Sequence, residues 1–153
     1  MADYTEKPKN WRDLPPEELA AFMNRKSEGY LPALLGFTLT SVAKERVVAR
    51  MAVRKHHLAP NDYLHAASVV ALADTVCGMA TIVNLPKEAG GFTTIELKTN
   101  FLGTTRDGAI LCEGRPAHIG RRTMVWDARV WDEKTGHDIA LFRCTQMILP
   151  GKA

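Results

Sequence analysis

Cysteine is scarce in this 153-residue chain, and so is any strong imbalance of charge. The three cysteines, Cys77, Cys112 and Cys144, each lie in an apolar segment. They leave one thiol over in any disulfide scheme and do not have metal-site spacing, so they read as reduced core thiols of a cytoplasmic protein. A net charge of +3 with 24% charged residues falls well short of the basic density of a nucleic-acid binder. The N-terminus, MADYTEKPKNWRDLPPEEL, has no apolar core of an export signal. Also missing are a G-x-S-x-G elbow, a P-loop and a Rossmann glycine pattern, which removes the usual signatures of serine hydrolases and nucleotide binders. With no repeat, low-complexity tract or linker, the length suggests one domain with a sizeable core.

What the chain does have is one long apolar run over residues 61–84, NDYLHAASVVALADTVCGMATIVN, between a Pro60-Asn61-Asp62 turn signal and Pro86. From His65 to Asn84 nearly every residue is apolar or small, which predicts a helix buried all round. Its length raises the question of a membrane span, but His65, Ser68, Asp74 and Thr75 argue against lipid exposure. Asp74 stands in its middle, and a buried carboxylate is costly unless paired, neutral or used. At 100° per residue Ala67, Ala71, Asp74, Gly78 and Thr81 share a stripe. A stripe of small residues serves either close helix-to-sheet packing or the floor of a ligand channel, and Asp74 serves either a structural hydrogen bond or chemistry.

The helix start offers a second chemical feature. At His65-Ala66-Ala67 free backbone N–H groups and the positive end of the dipole meet small side chains. A ligand carbonyl can approach such N–H groups and be polarised there. A carboxylate two and a half turns further on points to acyl transfer or hydrolysis. His65 is either a general base or a helix cap. Ser68 has no His-Asp partners in the pattern, and His56-His57 reads as an exposed pair without further metal ligands. In His118-Ile119-Gly120-Arg121-Arg122 two arginines follow a glycine turn, which suits either phosphate binding or a solvated turn.

Periodicity supplies the frame. Leu14-Pro15-Pro16-Glu17-Glu18 opens a helix that fails near Gly29, and Pro32 and Gly36 mark a connection. Residues 36–43 and 46–54 read as two strands about a Lys44-Glu45 turn, with Val47, Ala49, Met51 and Val53 on one face. After the helix, Thr93, Ile95, Leu97, Thr99 and Phe101 alternate against Thr94, Glu96, Lys98 and Asn100. Strands over 109–119, 123–131 and 138–149 follow, with Pro116 marking an edge, bulge or break and residues 132–136 a hairpin loop. The expectation is an α+β fold: a tail and short helix over 1–30, then one domain over 31–150 whose antiparallel sheet covers the long helix.

Taken together, these residues resemble a known family. His65-Ala66-Ala67-x4-Leu72-Ala73-Asp74 resembles the H-G-G-x4-L-A-[DE] signature of hotdog-fold acyl-CoA thioesterases, of the phenylacetate-degradation (PaaI-type) and hydroxybenzoyl-CoA and menaquinone-pathway groups. Residues 94–102 resemble the family's next strand, and His118-x-Gly120-Arg121-Arg122-Thr123-x-Val125-Trp126 its next hairpin. The resemblance implies a hotdog fold with the sheet wrapped around the helix, a homodimer or homotetramer with active sites at the dimer interface, and no metal or organic cofactor beyond the coenzyme A of the substrate. It assigns Asp74 as nucleophile or general base and Ala66 as the backbone donor to the thioester carbonyl. It places Thr75 and Gly78 near the acyl or water site and Arg121 and Arg122 near the nucleotide end of coenzyme A, with Ala67 and His118 as further substrate-binding candidates. The sequence departs from the pattern where the family carries Asn or Gln six residues before the histidine: this chain has Ala59, with Asn61 as the nearest amide. The G-G pair is Ala66-Ala67, which keeps its N–H groups but narrows the approach. Hydrolysis of an acyl-CoA is therefore the expected activity, with a non-catalytic acyl-CoA binding protein of the same fold as the alternative. A hotdog dehydratase would need a histidine partner that the sequence does not offer.

Overall fold

In a computed structural model, residues 11–151 are described. They form a six-stranded antiparallel sheet curled around one long helix. The helices are α1 (Pro16–Lys26), the short α2 (Leu31–Leu34) and α3 (Ala66–Asn84). The strands are β1 (Phe37–Ala43), β2 (Arg46–Ala52), β3 (Ala89–Phe101), β4 (Ala109–Ile119), β5 (Thr123–Asp132) and β6 (Asp138–Pro150). Their order across the sheet is β1-β2-β4-β5-β6-β3, so β1 and β3 are the two edges. This is the hotdog arrangement.

Alternation builds the inner face. Val47, Ala49 and Met51 of β2, Ile110 and Cys112 of β4, Met124, Trp126, Ala128 and Val130 of β5, and Ala140, Phe142 and Cys144 of β6 are all buried. They close on Val69, Leu72, Ala73, Val76, Cys77 and Ala80 of α3. The helix lies close to the sheet because β4 carries a glycine under it. A Cβ at Gly114 would come within 2.8 Å of Val76 Cγ1. Leu19, Ala20, Phe22 and Met23 of α1 are buried in the same core, and Asn24 clamps the helix to β1 by exchanging two 2.9 Å hydrogen bonds with the Leu39 backbone. The outer face is charged, with side-by-side pairs such as Arg143–Asp127 at 2.6 Å and Arg46–Glu113 at 2.7 Å.

Three expectations change. The helix is not buried all round. Val70, Ala71, Asp74, Thr75, Gly78, Met79 and Ile82 form a strip that its own sheet leaves partly open. By composition α3 could span a membrane, yet it lies against the sheet along its other side. The alternation along β3 also breaks. The pairing with β6 slips between Thr94 and Glu96, so Phe92 and Thr94 stand opposite Ile148 and Gln146 while Leu97, Thr99 and Phe101 stand opposite Cys144, Phe142 and Ala140. A bulge at Ile95 thus turns both sets toward the helix side. Pro116 likewise sits at a register slip, between itself and His118. Finally, His57 is not exposed but fully buried. Its Nε2 lies 2.9 Å from the Leu35 carbonyl and its Nδ1 accepts from the Arg54 N–H at 3.0 Å.

Candidate active site

The segment before α3 is tied down by backbone. The His57 carbonyl accepts from the His65 N–H at 2.9 Å and from the Ser68 hydroxyl at 3.0 Å. Ser68 is thus a buried structural hydroxyl, not a nucleophile. Between them the chain makes a tight loop, closed by Ala59 N–H to Tyr63 O at 2.8 Å and by a Leu58–Leu64 bridge. Asn61 is exposed, and its side-chain Oδ1 accepts from the Tyr63 N–H at 3.3 Å inside that loop. Asp62, with φ of 61°, takes a left-handed turn position.

His65 caps α3. Its φ and ψ of −70° and 134° are extended, and Nδ1 accepts from the Ala67 N–H at 3.0 Å. The cap therefore uses the Ala67 N–H and fixes the neutral imidazole as the Nε2–H tautomer. The Ser68 N–H donates to the His65 carbonyl. That leaves the N–H of Ala66, the first residue of the helix, with no acceptor among the described residues. It stands at the positive end of the helix dipole, beside exposed small side chains.

Asp74 lies eight residues on, roughly 12 Å along the axis at 1.5 Å per residue. It is partly buried on the open strip of α3, next to Thr75 and one turn before Gly78. A side chain at Gly78 would meet the Phe92 ring at 3.5 Å, an ordinary contact. Burial pushes the Asp74 carboxyl above the usual carboxylate range, opposed by a hydrogen bond from Thr94. The Thr94 hydroxyl is 3.4 Å from Asp74 Oδ1 and 2.9 Å from Oε1 of Gln146, which is fully buried. Neither residue stands out as a site residue in the sequence. The β3 bulge that aims Thr94 at the helix leaves no mark in the alternation, but a glutamine in the inward register of β6 was a usable signal.

His118, Arg121 and Arg122 are exposed. The two arginines line an open cleft of about 670 Å³ with Pro86, Glu88, Ala89 and Met147, beyond the C-terminal end of α3. Neither has an ion-pair partner among the described residues. Asp74 does not line the arginine cleft, and Ala66 and Asp74 are too far apart to touch one carbonyl.

Comparison with known proteins agrees with this architecture. Residues 61–138 match the thioesterase superfamily. A protein of Deinococcus radiodurans named "Putative esterase" is 34% identical over 142 residues, covering 90% of this chain and 88% of its own. A 1,4-dihydroxy-2-naphthoyl-CoA hydrolase of Listeria monocytogenes is 27% identical over 115 residues, covering 75% and 92%. Among solved structures, a mutant thioesterase of Pseudomonas aeruginosa superposes with a TM-score of 0.82 at 28% identity, covering 92% and 98%. With its sheet, its central helix and most of its length shared in this way, the chain belongs to the thioesterase superfamily, whose members hydrolyse thioesters.

Proposed function

We propose that this protein hydrolyses acyl-CoA thioesters to the free acid and coenzyme A, with Asp74 as the nucleophile or general base. The observation that carries this is the carboxylate itself. It sits half-buried on the open strip of α3, with no cation to neutralise it among the described residues. Such a group is expensive unless it is used. The unspent Ala66 N–H at the head of α3 in a second copy of the chain would supply the complementary part, a donor for a developing oxyanion. A thioester whose carbonyl rests on that N–H and faces a carboxylate is open to direct attack or to attack by water that the carboxylate deprotonates.

Coenzyme A would bring its phosphates to Arg121 and Arg122, which have no ion-pair partner among the described residues and frame a cleft of suitable size. His118 borders the same turn: its ring packs where a Cβ at Gly120 would fall. Ala67, Thr75 and Gly78 would line the acyl side. No metal or organic cofactor is needed for this chemistry, and coenzyme A enters only as part of the substrate. The Listeria relative, a hydrolase named for an acyl-CoA, supports the substrate class. Three free buried thiols support a cytoplasmic setting.

Thiol release across aromatic, short and long acyl-CoAs tests the proposal. Wild type turns over at least one class, and Asp74→Asn loses on the order of 10³-fold or more in kcat. Equal turnover by the mutant removes Asp74 from the mechanism. One observation favours a second reading, in which the fold binds acyl-CoA without cleaving it: position 59 has no amide, and Asn61 is engaged within its own loop. That reading predicts saturable binding with no thiol release by wild type.

A further inference from the structure

The polar groups behind Asp74 pose a counting problem. The Thr94 hydroxyl has one proton and faces two acceptors, Asp74 Oδ1 at 3.4 Å and Gln146 Oε1 at 2.9 Å. It cannot serve both. Meanwhile the amide nitrogen of Gln146 has only the Cys144 sulfur at 3.4 Å, a weak acceptor, and full burial denies it water. A half-turn of the Gln146 amide about its last bond resolves both defects. Its N–H then donates to the Thr94 oxygen, the Cys144 thiol donates to its carbonyl, and the Thr94 proton is free for the carboxylate. All donors then run one way, toward the one group in the row that carries negative charge.

We propose that Thr94 and Gln146 are positioning residues for Asp74, with the Gln146 amide donating to the Thr94 hydroxyl and that hydroxyl donating to the Asp74 carboxylate. The proposal rests on Asp74 being the carboxylate of the reaction. Two features of the fold support the assignment. The β3 bulge exists between Thr94 and Glu96, and it brings Thr94 onto the inner side without taking Leu97, Thr99 and Phe101 off it. Register then sets Thr94 directly opposite Gln146, so the pair is fixed by backbone pairing and not by loop position. A carboxylate held by a hydroxyl that is itself held by a buried amide keeps one rotamer, as a reacting carboxylate must.

The titratable groups around this row are thiols: Cys77 on α3, Cys144 beside Gln146 on β6 and Cys112 on β4. The hydrogen bond with Cys144 pushes the Cys77 thiol up, and burial does the same to Cys112, so both are neutral. β5 presents Met124 and Trp126, and β2 presents Val47, Ala49 and Met51. Among the described residues no cation or second carboxylate acts on Asp74.

The test is the titration of the Asp74 carboxyl carbon by NMR in the full chain, beside the acid limb of kcat/KM. Thr94→Val, nearly the same shape, moves both to higher pH, and kcat/KM near neutral pH falls about ten-fold as the carboxylate loses its place. Thr94→Ser keeps the wild-type titration. Gln146→Met also moves it upward, and the double variant matches Thr94→Val alone, because the amide acts only through the hydroxyl. The proposal is overturned if Thr94→Val leaves the carboxyl unmoved, if the two effects add, or if Gln146→Met moves the titration down. The last result would mean that the Thr94 proton had belonged to the amide. Should no acyl-CoA be hydrolysed at all, the functional reading fails while the NMR titration still decides the hydrogen-bond row.

Discussion

At the scale of a residue, the role proposed for Asp74 works against stability. Burial raises its carboxyl above the ordinary value, so the fold favours the protonated form. The sign follows from linkage: the stability this group contributes is fully present below the unfolded pKa of about 3.9 and is lost as pH rises through the folded value. Asp74→Asn has the same shape and no charge to desolvate. It is expected to unfold at higher urea than wild type at pH 8, with the difference closing as pH falls toward 4, even as thiol release disappears. Urea midpoints across that range check it, and an Asn variant no more stable at pH 8 would mean that the carboxylate is fully solvated. Asp74 was legible from its neighbours, because one charge in a long apolar run is anomalous whatever the fold. His57 was not. Beside His56 and three residues after Arg54 it looks like surface, but both of its ring nitrogens are engaged by backbone and its carbonyl supports the start of α3. Those partners, Leu35 above all, come from a segment whose approach no local pattern records.

At the scale of an element, α3 shows what periodicity can carry. Its limits, its stripe of small residues and its capped start follow from composition and turn signals. Which of its start N–H groups remains free does not, since that depends on the His65 ring turning back to Ala67. The free donor can be removed cleanly. Ala66 is the first helical residue, where proline is well tolerated, and His65 already has the extended backbone that proline requires before it. Ala66→Pro is expected to keep the wild-type unfolding midpoint within a few degrees while kcat falls about 10²–10³-fold, the usual loss of one oxyanion donor. Differential scanning calorimetry with thiol release checks both halves. Retained activity would move the oxyanion site elsewhere. β3 is the element that periodicity misread, because one bulged residue reverses the alternation without interrupting the run of strand-forming residues.

At the scale of the molecule, one chain does not make one site. A reacting carbonyl must lie about 3 Å from both its oxyanion donor and its attacking group. Ala66 and Asp74 are roughly 12 Å apart along one rigid helix. A second copy would remove the conflict by bringing its own Ala66 to this Asp74. The surface to receive it is present. β3 ends the sheet with a long unpaired edge, and Ile95, Leu97, Phe101 and Leu102 along it are 44–57% exposed. An apolar edge of that length is a template for pairing with another strand, and the open strip of α3 lies against the same side of the sheet as Thr94. If each site takes Asp74 from one chain and Ala66 from its twofold mate, two inactive variants repair each other. In a mixed dimer of Asp74→Asn and Ala66→Pro, one site carries both lesions and the other carries neither. Random exchange makes half of the dimers mixed, so refolding equal amounts together should restore about a quarter of wild-type thiol release from two preparations that have almost none. A site completed within one chain would leave every chain with one lesion, and the mixture would stay inactive.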